Sequence, residues 1–333
     1  MKLLYKILLK PVYLLSGLSI FLLLAFSNSS QKNYIKVTNA QELQQALDNA
    51  RAGLTIELTD NIYIGKFIVK AGINGTKEKP IVLKGSSKAI LQPKENNSGY
   101  ALHLQGNECW ILQGFTLQDC KKGLVIDNSN NIIVDNITVN NVGEEAIHLR
   151  SFSSYNIVRN CSITNVGLLD ARYGEGVYIG TAISNWPKIS GGKPDTCNYN
   201  LIENNIIGPY VAAEAVDVKE GTFYNIIRGN TFYGKGQKGE NGGDSWIDVK
   251  GSYTLIENNK GYDALEDGYQ VHIKGDGFGC NNIFRNNHSE VNAKGYAINI
   301  QLKNGTANGN IVYNNNTYKN ADKGLTNIST TKE

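Results

Sequence analysis

The chain has 333 residues, with 33 Lys or Arg against 30 Asp or Glu, so it carries a net charge of +3. Charged residues make up only 19% and form no basic stripe, which excludes nucleic-acid binding as a general property of the surface. Thirty-five glycines, six prolines and a single methionine argue against a helical or linker-rich chain, while the length is enough for a large core.

The first 29 residues read as a secretory signal peptide, or a signal anchor. Lys2, Lys6 and Lys10 precede an apolar run from Val12 to Phe26, and small polar residues follow it. The run is short for a membrane-spanning helix. The mature protein is therefore expected to be secreted or held at the cell surface, with no membrane contact once the signal is removed. Without those three lysines the rest of the chain has no net charge, so recognition of an acidic partner must come from local clusters. Five cysteines (Cys109, Cys120, Cys161, Cys197, Cys280) form no CxxC pair, which argues against a structural zinc site. Cys197 and Cys280 precede equivalent strands three coils apart, too far for a disulfide.

Next comes "NAQELQQALDNARAG". Asn39 is an N-cap with Glu42 three residues on, Gly53 is the stop, and Leu43, Ala46 and Ala50 form the apolar face of a short capping helix. From there the sequence repeats. "CWILQGFTL", "NIIVDNITV", "NIVRNCSIT", "NLIENNIIG", "NIIRGNTFY", "TLIENNKGY", "NIFRNNHSE" and "NIVYNNNTY" superimpose without gaps, and each turns on Gly114, Asn136, Asn160, Asn204, Gly229, Asn258, Asn286 or Asn314. Glycine and asparagine are the residues that tolerate a left-handed backbone. Asn205, Asn230, Asn259, Asn287 and Asn315 follow as an expected amide ladder. A second strand lies between these corners in each repeat, with inward pairs such as Val177/Ile179, Val216/Val218 and Ile247/Val249. Coils of about 22 residues or more, built of short strands and turned by Gly or Asn, predict an all-β, single-domain right-handed parallel β-helix over 34–333.

Equivalent residues on neighbouring coils stack about 4.8 Å apart. One outward column then reads His103, Ile126, His148, Tyr178, Asp217, Asp248, His272, Asn299; the next reads Gln105, Asn128, Arg150, Gly180, Lys219, Lys250, Lys274, Gln301. Glu145, Glu175 and Glu214 precede their strands by two residues. The charge occupies only the middle coils, which distinguishes it from a solubilising face. Tyr178, Trp246 and Tyr269 flank it as expected platforms for sugar rings. The long insert "TAISNWPKISGGKPDTC" (181–197) supplies a wall or lid centred on Trp186. Lysines stacked on lysines are expected to lose a proton more easily, so Lys219 is the candidate base and Lys250 its partner. Glu175, Glu214, Asp217 and Asp248 offer the oxygen-rich donor set that suits Ca²⁺. Arg150, His148, Tyr178, Trp246, His272 and Lys274 are the candidate substrate contacts. Base, cation and carboxylate clamp together describe β-elimination of an acidic polysaccharide.

The chain resembles the secreted parallel β-helix polysaccharide lyases, which share the pectin-lyase-like solenoid, and among them the alginate lyase and chondroitinase B family. "VTNAQELQQALDNARAGLTIELTDNIY" with "GTKEKPIVLKG" resembles that family's cap and first coil. A Glu five residues before a Lys, here Glu214 and Lys219 in "EAVDVKEG", matches its calcium-binding Glu and lysine base. The resemblance implies a lyase acting on a uronic-acid-containing polysaccharide, with Ca²⁺, as a monomer. Two positions depart from the family: its arginine falls at Lys250, and a second acidic ligand is replaced by Ala212. Two other readings stay open: a glycoside hydrolase using Asp217 and Asp248, and a non-catalytic polysaccharide-binding protein of the cell surface.

Overall fold

The computed structural model describes residues 33–95, 98–275 and 277–333; the expected signal segment, 1–29, lies outside the described residues. Each successive coil adds one strand to each of three parallel sheets, so, apart from Tyr34–Val37 beside Thr55–Leu58, neighbours in a sheet are strands three apart along the chain. Among the described residues the sheets contain eleven, ten and ten strands. This is the expected right-handed parallel β-helix.

Its corners are turned by the residues the repeat singled out. Asn136, Asn160, Asn204, Asn258 and Asn286 have φ between 54° and 57°, and Gly114 and Gly229 are left-handed as well. Asn314 departs from the pattern. Its N–H bonds Thr331 O, because the C-terminal tail bridges to this last coil at Tyr313. The amide ladder forms one residue after the corner. Asn205 Nδ2 donates to Asn230 Oδ1 at 2.9 Å, Asn230 to Asn259 at 3.0 Å, Asn259 to Asn287 at 3.0 Å, and Asn287 to Asn316 at 2.9 Å. The last rung is thus Asn316, not Asn315 as the spacing predicts. Asn259→Ala should cost about 2–4 kcal/mol in urea unfolding, since the buried backbone groups of Asn230 and Ile227 each lose a partner.

The capping helix spans Ala40–Asp48. Asn39 accepts from Glu42 N–H at 3.0 Å, while the Glu42 carboxylate accepts from Thr38 N–H at 2.7 Å. It ends one turn before Gly53 and buries Leu43, Ala46 and Leu47. Gln44 donates to Ile68 O and accepts from Ile68 N–H, which satisfies the open edge of the sheet that starts at Phe67–Val69. The helix therefore closes the end of the solenoid. All five cysteines are free, including Cys197 and Cys280.

The sheet that matters for function runs through Tyr100–Gln105, Lys122–Asp127, Ile147–Arg150, Val177–Ile179, Val216–Val218, Ser245–Val249, Asp267–Val271 and Tyr296–Ile300. Val177 pairs with Val216, and Val216 with Ile247, all fully buried, as expected. Two registers differ from the expectation. Tyr269, not Val271, stands opposite Ile247, so that coil is shifted by two residues. His103 stands opposite Val125 and Gln105 opposite Asp127, a shift of one that exchanges the two faces.

Candidate active site

The outward columns of this sheet are now definite. One runs His103, Val125, His148, Tyr178, Asp217, Asp248, Gln270, Asn299. The next residues on the same coils place Asp127, Arg150, Lys219, Lys250 and His272 side by side. His272 therefore belongs to the lysine column, not to the aspartate column. Lys274 projects past the end of its strand, is exposed, and does not join the site.

At the centre Asp217 is held by two lysines. Lys219 Nζ lies 2.5 Å from its Oδ2 and Lys250 Nζ lies 3.1 Å from its Oδ1. Lys250 also bonds Asp248, whose other oxygen takes His272 Nδ1 at 2.8 Å. Charge alternates along Lys219, Asp217, Lys250, Asp248 and His272 across three coils. Burial works against the charge of Asp248, but Lys250 and His272 more than offset it and keep its carboxyl well below the ordinary range. The hydrogen bond to Asp248 raises His272, so its imidazolium is favoured.

The lysines do not behave as the stacking argument predicts. Burial disfavours the ammonium of Lys219, yet Asp217 and Glu214 outweigh it and raise its pKa above the ordinary lysine range. Lys250 is raised in the same way, by Asp217 and Asp248. Each lysine still feels the other's repulsion, but the carboxylates beside it, Asp217 first, outweigh that repulsion. Like-charge repulsion loses to ion pairing here.

Beside the lysines lies an acidic pocket. Glu175, Glu214 and Asp217 offer oxygen atoms within 4.8 Å of one another, all buried. Burial and the facing charges of Glu145, Glu214 and Asp217 push Glu175 well up, and its Oε2 has no hydrogen-bond partner. Burial, then Asp217, pushes Glu214 up to about 8. Three hard oxygen donors with one orphaned atom fit a Ca²⁺-type cation. Asp248 stands on the next coil and is not part of this group; its carboxylate is held by Lys250 and His272. Glu145 is likewise taken by Lys122, at 2.5 Å.

Toward the N-terminal coils, Tyr178 lies beneath Lys219, whose Nζ is 5.0 Å from the ring centre. Its phenol is kept protonated by burial and by Asp217 and Glu175. His148 packs against Tyr178 with ring centres 4.3 Å apart, and its Nε2–H donates to Gly180 O at 3.0 Å. Burial lowers the pKa of His148, so it is neutral. Arg150 grips Asp127 through Nε at 2.6 Å and Nη2 at 3.0 Å, and His103 bonds the same carboxylate at 2.8 Å. Asp127 escaped the sequence reading because "GLVID" has no alternation to fix its phase. His148, Arg150 and Tyr178, with Lys122 and Glu145 and with Asn185 and Lys188 of the 181–197 insert, line a cleft of about 270 Å³. A second, of about 300 Å³, opens on the other side of the lysines along His272, Asn299 and Gln301.

Trp246 is a correction. It is wholly buried, its N–H bonds Tyr262 O at 3.2 Å, and it packs edge-on to Tyr269, also wholly buried. The indole fills the space where Gly261 follows Phe232 in the inward column, and a β-carbon on Gly261 or Gly268 would collide with it. Neither aromatic is a platform for substrate. Trp186 of the insert is also largely buried, donating to Thr181 O at 2.8 Å.

Residues 52–192 match the family profile described as a right handed beta helix region. The alginate lyase from Paenibacillus sp. str. FPU-7 is similar at 32% identity and a TM-score of 0.81, over 90% of this chain and 99% of that one. Pectate lyase Pel9A matches at 13% identity and a TM-score of 0.60, over 87% and 72% of the two chains. PfbA, a surface adhesin of Streptococcus pneumoniae, matches at 14% and 0.61, over 88% and 76%. The last two share the fold alone. No curated protein sequence matches the chain.

Proposed function

The chain belongs to the same right-handed parallel β-helix family as the Paenibacillus alginate lyase, and on that premise we propose that its groove cleaves a uronic-acid-containing polysaccharide by β-elimination. The observation that carries this reading is the pair Lys219 and Lys250 on the single carboxylate Asp217, in a groove with a cleft on either side.

Elimination requires the uronate carboxylate to be neutralised so that the proton α to it becomes acidic. It also requires a base for that proton and an acid for the departing oxygen. Lys250 and the His272 imidazolium supply positive charge for the carboxylate or for the leaving oxygen. Lys219 takes the proton. Tyr178, held protonated, is the remaining donor within the groove.

The raised pKa of Lys219 states what must change before it acts as a base. The negative charge of Glu214, Glu175 and Asp217 has to be offset. We propose that these three residues hold Ca²⁺, whose charge would neutralise the acid cluster. Removing calcium should therefore move the rising limb of the pH–rate profile to higher pH, because Lys219 then keeps its proton longer. A profile that does not move when calcium is chelated would sink this assignment.

Glu214→Gln gives the companion result. The folded pKa of Glu214 is raised above its unfolded value, so this group favours the fold at low pH and loses that contribution as pH rises through about 8. Without calcium, the glutamine variant should be the more stable above pH 8, by thermal melting. It should also need more calcium for activity. A variant no more stable at alkaline pH would count against a protonated Glu214.

The hydrolase alternative is disfavoured because Asp217 and Asp248 are both taken by lysines, and the binding-protein alternative loses its platform with the burial of Trp246. The leading segment and a polymeric substrate support action outside the cell. The test is direct. Alginate, pectate, glucuronan and chondroitin are incubated with the protein, with and without Ca²⁺, while ultraviolet absorbance follows the unsaturated uronate. Growth of absorbance on one of them supports the reading; none on any uronate polymer returns the protein to the binding class.

A further inference from the structure

The insert 181–197 is not a free flap. Ile183 N–H donates to Glu220 Oε1 at 2.6 Å, Ser151 Oγ to Ile189 O at 3.2 Å, and Ser154 Oγ to Thr196 O at 3.1 Å. Its most buried polar anchor is Asp195, fully enclosed. Among the described residues no lysine, arginine or histidine forms an ion pair with it. Its charge is instead met by Ser151 N–H at 3.1 Å, Phe152 N–H at 2.7 Å and the Thr181 hydroxyl at 2.6 Å, with Cys197 Sγ at 3.4 Å.

Ser151 and Phe152 are themselves unusual. Their φ values are 53° and 69°, two consecutive non-glycine residues in the left-handed region. Each such residue costs about 1–2 kcal/mol. Successive backbone N–H groups in such a conformation form a concave site for an anion, and here the anion is the chain's own carboxylate. The strained turn directly follows Arg150, and the insert that carries Asp195 also carries Asn185 and Lys188. Both flanks of the cleft over Tyr178 are therefore tied to one side chain.

We infer that Asp195 is a positioning residue of the groove: it clamps the 181–197 insert onto the Ser151–Phe152 turn and so holds Lys188 and Asn185 opposite Arg150 as a preformed subsite for a second uronate next to the one cleaved. The subsite rests on the lyase reading; the clamp does not. Arg150 is already bound to Asp127, so the charge for that carboxylate comes from Lys188, which forms no ion pair among the described residues and favours a polymer with consecutive uronic acids over one in which uronate alternates with a neutral sugar. The clamp contributes to binding before chemistry starts, so its loss belongs in KM and not in kcat.

The test compares the wild-type chain with Asp195→Asn and with the milder Thr181→Val, which removes only the hydroxyl bond and guards against a variant that fails to fold. Amide exchange at Ser151, Phe152 and 181–197 is expected to quicken at least about tenfold in Asp195→Asn and less in Thr181→Val. On the best polyuronate KM is expected to rise about tenfold while kcat stays within about threefold. Lys188→Ala should raise KM with exchange unchanged. Unchanged exchange in both Asp195 and Thr181 variants overturns the clamp. Faster exchange with unchanged KM overturns the subsite, as does a fall in kcat equal to the fall in kcat/KM. If the wild-type chain neither cleaves nor binds any polyuronate, the lyase reading and the subsite fall together, while the exchange measurement still decides the clamp.

Discussion

Lys219→Ala is expected to lower kcat on the best uronate polymer by about 10³-fold, the middle of the range for losing a positioned base. The fold should survive. Asp217 keeps Lys250 as a partner, so no buried charge is left wholly unpaired, and the loss should stay below the roughly 3–5 kcal/mol of an orphaned buried ion. Lys219→Arg separates two roles that the alanine variant merges. Arginine preserves the positive charge beside Asp217 but does not give up its proton in a protein. If Lys219 is the base, the arginine variant is as inactive as alanine; if it only neutralises charge, arginine retains much of the rate. Full activity in Lys219→Ala would move the base elsewhere, with His148 the neutral group nearest the groove and His272 the next to examine.

Trp246→Ala should destabilise the protein by about 3–5 kcal/mol, the cost of removing a large aromatic from a closed core. Substrate affinity of the folded protein should not change, because the indole never reaches the groove. The partner experiment uses Gly261. Gly261→Leu places a side chain where the indole lies and should itself be strongly destabilising. In the double variant the leucine occupies the vacated space, so the combined loss should be smaller than the sum of the single losses. Strict additivity would show that the two positions do not share one cavity, and a raised KM in Trp246→Ala would restore the platform assignment.

The solenoid was legible because its corners demand residues with a distinctive backbone preference, and Asn136, Asn160, Asn204, Asn258 and Asn286 supply it at a regular spacing. The central part of the site was legible for the same reason. The two Asp-Val-Lys strands are short, bounded, and fall in register: Asp217 opposite Asp248. Phase was harder. "GLVID" presents three apolar residues in a row, so nothing in it says whether Val125 or Ile126 faces inward, and Asp127 was hidden. "YQVHI" alternates over more positions than one strand needs, so two registers bury the same face; the pairing of Asp267 with Ser245 selects the one that puts His272 beside Lys250. Trp246 was misread because its surroundings are set by an absence. The small Gly261 after the larger Phe232 in one inward column is the signal that a neighbouring aromatic must turn inward. The ionisation of the lysines depends on which oxygen lies nearer than the other lysine, and spacing along a chain does not carry that.

The asparagine column has a consequence for how the molecule comes apart. A solenoid is coupled only through neighbouring coils, so it unzips from its ends. The capping helix seals one end. At the other, the rungs between Asn316 and Asn287 and between Asn287 and Asn259 must open before the coil of Lys250 is reached. Fraying there consumes the terminal coils as a sacrificial margin, and Lys219 and Lys250 sit behind it, in the stretch that is last to let go.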